Sequence, residues 1–178
     1  MSDVLIRRRR DDDMPALVEL LTRQQAQTRY PLRWPWAGDL ADFVRRPSEL
    51  AAWVAVVDDD IAGHVTVETV ADGELARLGS AAHGVPVSRL RCISVLFADR
   101  RLARRGIGSA LLARATEHAL ADGGAPVLDV VAGHVEPVRL YESRGWRDAG
   151  RFRPDWLPAA EDPVRVMFLP RTTRAAGT

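Results

Sequence analysis

The chain has 178 residues, of which 47% are hydrophobic and 28% charged, and its formal net charge is +1. These values fit one compact, soluble domain. The small net charge excludes a protein that attracts nucleic acid or a membrane surface through its overall field. Cys92 is the only cysteine, which excludes an internal disulfide and predicts a reducing, cytoplasmic location. No signal peptide is expected, and no apolar run approaches the ~20 residues of a membrane span.

The first half of the chain predicts a strand, two helices and a hairpin. Residues 4–10 are strand-like, and the stretch "DDDMPALVELL" starts a helix with aspartate at its N-cap and Pro15 in its first turn. A second, short helix is predicted in "DLADFVRRP". The β-rich runs 50–57 and 61–70 flank an acidic turn and predict an antiparallel hairpin. The Gly- and Ala-rich residues 71–89 predict a long loop, either functional or disordered.

The second half alternates strands and helices. A strand is predicted over Leu90–Ala98, and apolar residues on one side of the following helix run from Gly106 to a Gly-Gly pair. The strand "PVLDVVA", the short helix "EPVRLYESRG" and two last strands, "WRDAGRFR" and "VRVMFLP", follow. Because helices connect parallel strands and hairpins are antiparallel, this order predicts an α+β fold with a mixed sheet. We expect one domain over 1–178, with 172–178 as a flexible tail.

The stretch "ARRGIGSALL" places two arginines and two glycines at the start of a helix. Unpaired amides and the helix dipole bind phosphate at such a position, and glycine lets the ligand approach the backbone. A tight turn with solvated arginines is the alternative. A Walker loop is excluded because the chain has no lysine. A Rossmann motif fits poorly, because Leu111 replaces its third glycine and a hairpin precedes it, although Asp129 lies at the spacing of a ribose-binding acid.

Two adjacent segments, "ISVLFADRRLARRGIGSALLARATEHA" and "PVLDVVAGHVEPVRLYESRGWRDAG", are similar to the signature segments of the GNAT superfamily of N-acetyltransferases. The resemblance covers most of the chain and is specific from about residue 90 to 147. It implies a single α+β domain with a twisted, mixed and mostly antiparallel sheet of about seven strands and about four helices. The fourth and fifth strands of that sheet are expected to splay apart.

The resemblance also implies acetyl-CoA as co-substrate. The residues expected to bind it are Leu96, Phe97, Ala98, Arg104, Arg105, Gly106, Ile107, Gly108, Ser109, His134 and Tyr141. The chain departs from the family pattern at four places. Ala103 replaces the usual Arg or Gln of the loop, His134 replaces a frequent Asn, and Cys92 stands where some members carry a catalytic glutamate. The proline often found after the fourth strand is replaced within "DRR". We expect Cys92 to be a small core residue.

The implied reaction is direct acetyl transfer to a primary amine. The resemblance makes Tyr141 the general acid, since a phenol with a pKa of about 10 can protonate a departing thiolate. The alternative is that Tyr141 only packs in the core beside Val138. Glu68 and Asp129 are candidate bases acting through water, and solvated or ion-paired carboxylates are the alternative for both.

The acceptor is expected at "RYPLRWPW", with Tyr30, Trp34 and Trp36 as substrate residues, and beside the 71–89 loop. A small amine and a peptide or protein N-terminus both fit, and the two tryptophans can instead be core anchors. We expect no metal, nucleic-acid or membrane partner and allow for a homodimer. Two other function classes stay open. One is a non-catalytic acyl-CoA-binding or sensing module. The other is nucleic-acid binding through "RRRR" and the arginines of 100–105.

Overall fold

The computed structural model describes residues 3–171, which form two compact units. The first unit contains the chain up to Thr69 together with Ile93–Ala121. The second contains Val70–Cys92 and the chain from Asp122 onward. The predicted single domain stays a prediction, and the predicted tail over 172–178 lies outside the described residues. No helix within 3–171 combines the length and the apolar character that crossing a membrane requires.

The first unit holds three antiparallel strands, three helices and most of a fourth strand. The strands are β1 Leu5–Arg8, β2 Glu49–Val57, β3 Asp60–Thr69 and β4 Leu90–Ala98, of which the part from Ile93 belongs to this unit. The helices are α1 Met14–Thr28, α2 Leu40–Val44 and, fourth in chain order, α4 Ile107–Leu120. β1 pairs with β2 and β2 with β3, both antiparallel, so the predicted hairpin is confirmed. Asp58 and Asp59 form its two-residue turn with φ of 50° and 66°, the left-handed conformation that such tight turns need.

Helix α1 starts where the sequence predicts it, after a short 3-10 turn over Asp11–Asp13. Asp13 stands at the N-cap, but its carboxylate does not cap α1. It accepts hydrogen bonds from the Arg10 amide at 2.7 Å and from both terminal nitrogens of Arg7 at 2.7 and 2.8 Å. These bonds from Arg7 hold the pKa of Asp13 below its usual range although burial opposes the shift. The start of α1 is therefore fixed to β1.

The core of the first unit lies on the side of the sheet covered by α1 and α2. Its buried members are Met14, Leu17, Leu20, Leu21, Leu40, Phe43, Val44, Val54, Val95 and Phe97. The helical spacing of the leucines explains why α1 forms and which of its sides is buried. On the other side of β3, Gly63 permits close packing. A Cβ atom there would lie 2.7 Å from the Phe97 carbonyl oxygen and 2.9 Å from Leu111 Cδ1.

We expect Gly63→Ala to lower the free energy of unfolding by about 1–3 kcal/mol, because the added methyl group meets a backbone oxygen that cannot rotate away. Urea denaturation measures this loss. Gly133→Ala is the matched control, because the only atom near its added Cβ would be Glu161 Oε2 at 4.0 Å. We expect that variant to stay within about 0.5 kcal/mol of wild type. Equal stability of the two variants would contradict the packing argument.

The second unit holds a helix, the start of β4 and three further strands around a short helix. The helices of this unit are α3 Glu74–His83 and α5 Val135–Ser143. Its further strands are β5 Ala125–Val131, β6 Arg147–Phe152 and β7 Val164–Phe168. β5 and β6 each pair with β7 in antiparallel fashion. Cys92 is buried with Leu90, Ala125 and Val127, as predicted for a small core residue.

The strands follow the order β1-β2-β3-β4-β5-β7-β6 in one seven-stranded sheet. β4 and β5 are parallel, whereas β1–β2, β2–β3, β5–β7 and β6–β7 are antiparallel. The mixed, mostly antiparallel α+β sheet is therefore confirmed. The β4–β5 register has three pairs, Leu90–Ala125 to Cys92–Val127, although β4 has nine residues and β5 has seven. This short pairing agrees with the predicted splay.

The predicted 71–89 loop is wrong, because α3 occupies Glu74–His83 and raises the number of α-helices within 3–171 to five. The small residues that suggested a loop instead allow a helix to pack closely. A Cβ atom on Gly79 would lie 2.8 Å from Val127 Cγ1 and 3.3 Å from Leu90 Cδ1. Gly84 ends the helix with φ of 66°, as expected for a left-handed C-cap. Tertiary packing thus outweighs the weak local helix signal.

Candidate functional site

The backbone of β4 is distorted at Val95, which has a φ of 48° inside the strand. The alternation of buried and less buried side chains along β4 shifts by one residue within the strand. Leu90 and Cys92 are buried at one end, and Ile93, Val95 and Phe97 are buried beyond them. A left-handed residue within a strand redirects the groups that follow it, as a β-bulge does. A β-branched residue at positive φ is strained, so the surrounding contacts must hold it there.

The end of β4 presents backbone amides on its side away from β3. The Asp99 amide donates to the Ala62 carbonyl of β3 at 2.8 Å. Because successive amides of a strand point to opposite sides, those of Leu96 and Ala98 point away from β3. An extended ligand could pair with them as another strand would. This arrangement fits the backbone role that the resemblance implies for Leu96–Ala98.

The loop between β4 and α4 is built to present the first amides of α4. Arg104 and Gly106 both adopt left-handed conformations, with φ of 67° and 76°. The Ala110 amide donates to Gly106 O at 2.9 Å, so the amides of residues 107–109 precede this first helical bond. Among residues 3–171, no atom lies within 4 Å of an ideal Cβ on Gly106, so the space beside this glycine is open. A diphosphate fits such a helix start.

A buried carboxylate, Asp99, fixes this loop at its start. Arg101 donates to both of its oxygens at 2.7–3.2 Å, and Arg23 of α1 donates to Oδ2 at 3.0 Å. Burial opposes ionisation of Asp99, but the hydrogen bonds and charge of Arg101, with the charge of Arg23, lower its pKa overall. Gln24 Oε1 accepts from the Arg100 amide at 3.2 Å. No local pattern in the sequence indicates a role for Asp99, because its partner Arg23 on α1 is distant along the chain.

Three polar side chains form a hydrogen-bonded chain that ends at the distorted part of β4: Glu49 on β2, Arg9 just after β1 and His64 on β3. Arg9 donates to Glu49 Oε1 at 2.7 Å and to His64 Nε2 at 3.1 Å. His64 Nδ1 lies 3.0 Å from the Val95 carbonyl oxygen. An arginine can only donate, so Nε2 must accept and Nδ1 must carry the proton that it donates to Val95. Arg9 was considered only as part of the "RRRR" run, and no local motif in the sequence marks Glu49 or His64.

The "RRRR" run is thereby shown to be part of the folded structure. Arg7 binds Asp13, the Arg8 guanidinium lies 4.6 Å from the Trp53 ring centroid, and Arg9 belongs to the hydrogen-bonded chain. A basic tag for nucleic acid needs guanidinium groups that are available to phosphate. The contacts of these three arginines count against that reading.

His64 should make the protein lose stability in mild acid. Burial, with a smaller contribution from the charge of Arg9, outweighs the bond to Val95 and lowers the pKa of His64 to about 3. An unfolded histidine has a pKa of about 6.5, so unfolding takes up a proton between these values. The free energy of unfolding should therefore fall by up to about 1.4 kcal/mol per pH unit as the pH drops through this window. Urea denaturation at several pH values measures how steeply the free energy of unfolding depends on pH. We expect a shallower dependence in His64→Asn than in wild type, and equal dependences would contradict this account.

The predicted acceptor residues divide into two groups. The Tyr30 ring lies 5.4 Å from that of Phe43 and 6.4 Å from that of Phe97, and Trp36 lies 5.1 Å from Phe43. Tyr30 and Trp36 are thus half-buried against the core, which for Trp36 agrees with the core-anchor alternative. Trp34 is 41% exposed and matches the exposed aromatic rim. The structure brings the candidate substrate residue Tyr30 beside the candidate cofactor residue Phe97.

Glu68 lies near the end of β3, directly across from Glu49 of β2. The Ser48 hydroxyl donates to Glu68 Oε2 at 2.5 Å. Its neighbour Glu49 uses Oε1 for Arg9, while Glu49 Oε2 is buried and has no hydrogen-bond partner within the described residues. Two glutamates therefore stand opposite each other at this end of the hairpin, and the catalytic role of Glu68 stays a prediction.

The second unit holds the remaining candidates. Tyr141 on α5 is only 8% exposed, and its ring lies 6.2 Å from that of Trp146. Burial raises the pKa of Tyr141 well above its usual value, and Asp129 of β5 and Cys92 add to the rise. The phenol is therefore held in its protonated form. His134 occupies the N-cap position of α5 without a side-chain capping bond to the helix.

Comparisons with known proteins identify the family and the fold. The model of the "Acetyltransferase (GNAT) family" matches residues 14–146. The solved ribosomal-protein-S18-alanine N-acetyltransferase of Escherichia coli is 17% identical, with a TM-score of 0.67 over 99% of this chain and 100% of that chain. NAA60 of Arabidopsis thaliana in complex with a bisubstrate analogue is 19% identical, with a TM-score of 0.71 over 93% of this chain and 96% of the other.

The same Arabidopsis thaliana protein in complex with acetyl-CoA is 19% identical, with a TM-score of 0.70 over 93% of this chain and 98% of that chain. No curated protein sequence matches the chain. At these identities the structural likeness establishes the fold, whereas the family model covers well over half of the sequence. The chain belongs to the GNAT family of acetyltransferases.

Proposed function

We propose that this protein is an N-acetyltransferase that moves the acetyl group of acetyl-CoA directly to a primary amine. The observation that carries the proposal is the loop before α4. Its left-handed Arg104 and Gly106 turn the first amides of the helix toward open space, immediately after the distorted strand β4. Family membership and the acetyl-CoA complex of a protein with the same fold support this choice of co-substrate.

We assign the pyrophosphate to the stretch Arg104–Ser109. The amides at the start of α4 would donate to it, and Arg104 and Arg105 would add charge. Backbone groups of Leu96, Phe97 and Ala98 would pair with the pantetheine arm, and His134 is a further candidate contact. When bound, acetyl-CoA supplies the acyl group as an activated thioester. The amide of Leu96 would then face its carbonyl oxygen as an oxyanion-hole donor.

We assign Tyr141 as the general acid. Its Oη would give a proton to the departing thiolate, and burial keeps the phenol protonated until that step. Glu68 and Asp129 are the candidate bases that would take a proton from the acceptor ammonium through water. The base is the least constrained of these roles, because Cys92 stands where some family members carry glutamate.

The acceptor is proposed to be a primary amine of a small molecule or of a peptide or protein N-terminus. The aromatic residues Tyr30, Trp34 and Trp36 would contact it. The Escherichia coli protein of the same fold is a ribosomal-protein-S18-alanine N-acetyltransferase, which supports the peptide option, and a small amine is the other option. A homodimer and a cytoplasmic location also stay predictions, as does the absence of nucleic-acid, membrane and metal partners.

The test combines binding with turnover on the purified protein. Acetyl-CoA should raise the melting temperature and bind with a Kd on the order of 1 μM, and NADH should have no effect. Stabilisation by NADH alone would favour a dinucleotide-binding function instead. A thiol-release assay with small primary amines and short peptides should give amine-dependent, sustained release of coenzyme A. If acetyl-CoA binds tightly but no amine-dependent release of coenzyme A is seen, the result would favour a non-catalytic acyl-CoA-binding module over an enzyme.

A further inference from the structure

The carbonyl of Val95 is held by a side chain. It lies within a strand that is hydrogen-bonded to β3, yet His64 Nδ1 donates to its oxygen at 3.0 Å. His64 is completely buried on β3, and its ring centroid lies 5.6 Å from that of Phe97. Val95 is also the residue with positive φ in β4. The imidazole therefore stabilises the strained conformation at the point where β4 is distorted.

The chain behind His64 strengthens this bond. Arg9 is only 7% exposed and donates both to Glu49 and to His64 Nε2. A cation that donates to one nitrogen of a neutral imidazole makes the N–H on the other nitrogen a better donor, because linked hydrogen bonds polarise one another. Burial and the charge of Arg9 keep the ring neutral, while Glu49 compensates the charge of Arg9. Arg9 thus donates to Glu49 on one side and to His64 on the other, and His64 donates onward to Val95.

The next group along this chain is the amide of Leu96. Val95 C=O and Leu96 N–H belong to the same planar peptide, in which the two bonds point in opposite directions. Holding the carbonyl toward β3 therefore aims the Leu96 amide away from β3, and polarising the carbonyl makes that amide a stronger donor. We propose that His64 is a positioning residue that orients and polarises the Leu96 amide for the thioester carbonyl. This inference rests on the proposed function, which gives that amide its role.

Three substitutions at two neighbouring positions test the proposal. His64→Leu removes the hydrogen bond to Val95, and His64→Asn keeps an N–H close to the position of Nδ1. Thr66→Val is the matched control on the same side of β3. Thr66 is equally buried, and within the described residues its Oγ1 has no hydrogen-bond partner. The readouts are kcat, the KM of the amine, the Kd of coenzyme A and the Kd of acetyl-CoA.

We expect His64→Leu to lower kcat at least about tenfold while the Kd of coenzyme A changes less than about threefold. The amides of α4 that would hold the pyrophosphate do not depend on Val95. His64→Asn should recover kcat to within about threefold of wild type, and Thr66→Val should match wild type. A wild-type kcat in His64→Leu would overturn the proposal. The proposal would also be overturned if the Leu and Asn variants lost kcat equally and the loss tracked their decrease in melting temperature.

A binding measurement separates this inference from the proposed function. If the wild type binds acetyl-CoA but shows no amine-dependent turnover, the proposed function fails. The ratio of the Kd of coenzyme A to that of acetyl-CoA then decides the inference, because the acetyl oxygen is the group that the Leu96 amide would bind. The inference expects His64→Leu to lose this preference and His64→Asn to retain it. If His64→Leu does not fold, the ¹H–¹⁵N resonance of Leu96 is compared between wild type, His64→Asn and Thr66→Val. An acetyl-dependent downfield shift whose size changes in His64→Asn but not in Thr66→Val supports the proposal, and equal shifts in all three overturn it.

Discussion

Replacing Gly106 with glutamate is expected to remove measurable binding of acetyl-CoA, a loss of more than about 100-fold in affinity. Gly106 has a φ of 76°, and the space where its Cβ would stand is open. A side chain there would enter the place assigned to the pyrophosphate, and its carboxylate would repel the phosphate charges. Isothermal titration with acetyl-CoA measures the loss, and Gly108→Glu should behave in the same way.

Gly84→Glu is the matched control for this experiment. Gly84 at the end of α3 has a φ of 66°, and an ideal Cβ there also meets no atom within 4 Å. The two substitutions therefore carry similar backbone strain, but only the one at Gly106 should affect the ligand. Arg104→Ala should weaken binding by about tenfold, because the amides remain. Full binding by Gly106→Glu would show that the ligand lies elsewhere.

Tyr141→Phe is expected to lower kcat about 100-fold and to leave the affinity for acetyl-CoA nearly unchanged. The substitution removes only the hydroxyl group, and phenylalanine fits the buried place beside Trp146. Because burial raises the pKa of Tyr141, the phenol remains protonated up to pH values above its usual 10. The loss of kcat should therefore be similar at neutral and moderately alkaline pH, which a pH series of initial rates measures.

Trp146→Phe serves as the control for packing around Tyr141. Trp146 is buried, so its reduction leaves a cavity and lowers the thermal stability, but the Tyr141 hydroxyl remains. We expect this variant to keep most of its turnover. Full turnover in Tyr141→Phe would mean that water or another group protonates the thiolate. Equal kcat losses in the two variants would assign Tyr141 a packing role only.

The sequence predicted best where local chemistry decides the structure. Strand β4 has the predicted bounds, and the β2–β3 hairpin was marked by two apolar runs around consecutive aspartates. The turn into α4 could be placed because two glycines stand between a strand pattern and a helical pattern. Tyr141 was proposed from its sequence context, and its catalytic role stays a prediction, while its burial raises the pKa of the phenol.

The missed features depend on contacts between distant parts of the chain. Helix α3 forms because Gly79 can approach Val127 and Leu90, and no local pattern indicates such a partner. The bond from His64 to Val95 joins residues that are 31 positions apart. The position of β7 between β5 and β6 likewise follows from sheet pairing and not from periodicity.

The buried pair of Arg9 and Glu49 also constrains how the sequence can evolve. Loss of either partner alone would leave a largely buried charge uncompensated, at a cost of about 3–5 kcal/mol. Joint replacement by apolar residues removes both charges and leaves the neutral His64 Nε2 without its donor, at a smaller cost of about 1–3 kcal/mol. Mutations at these two positions should therefore show strong epistasis, with a double-mutant cycle far from additive. Lineages that change one position are expected to change the other, so the two should vary as a pair among related sequences.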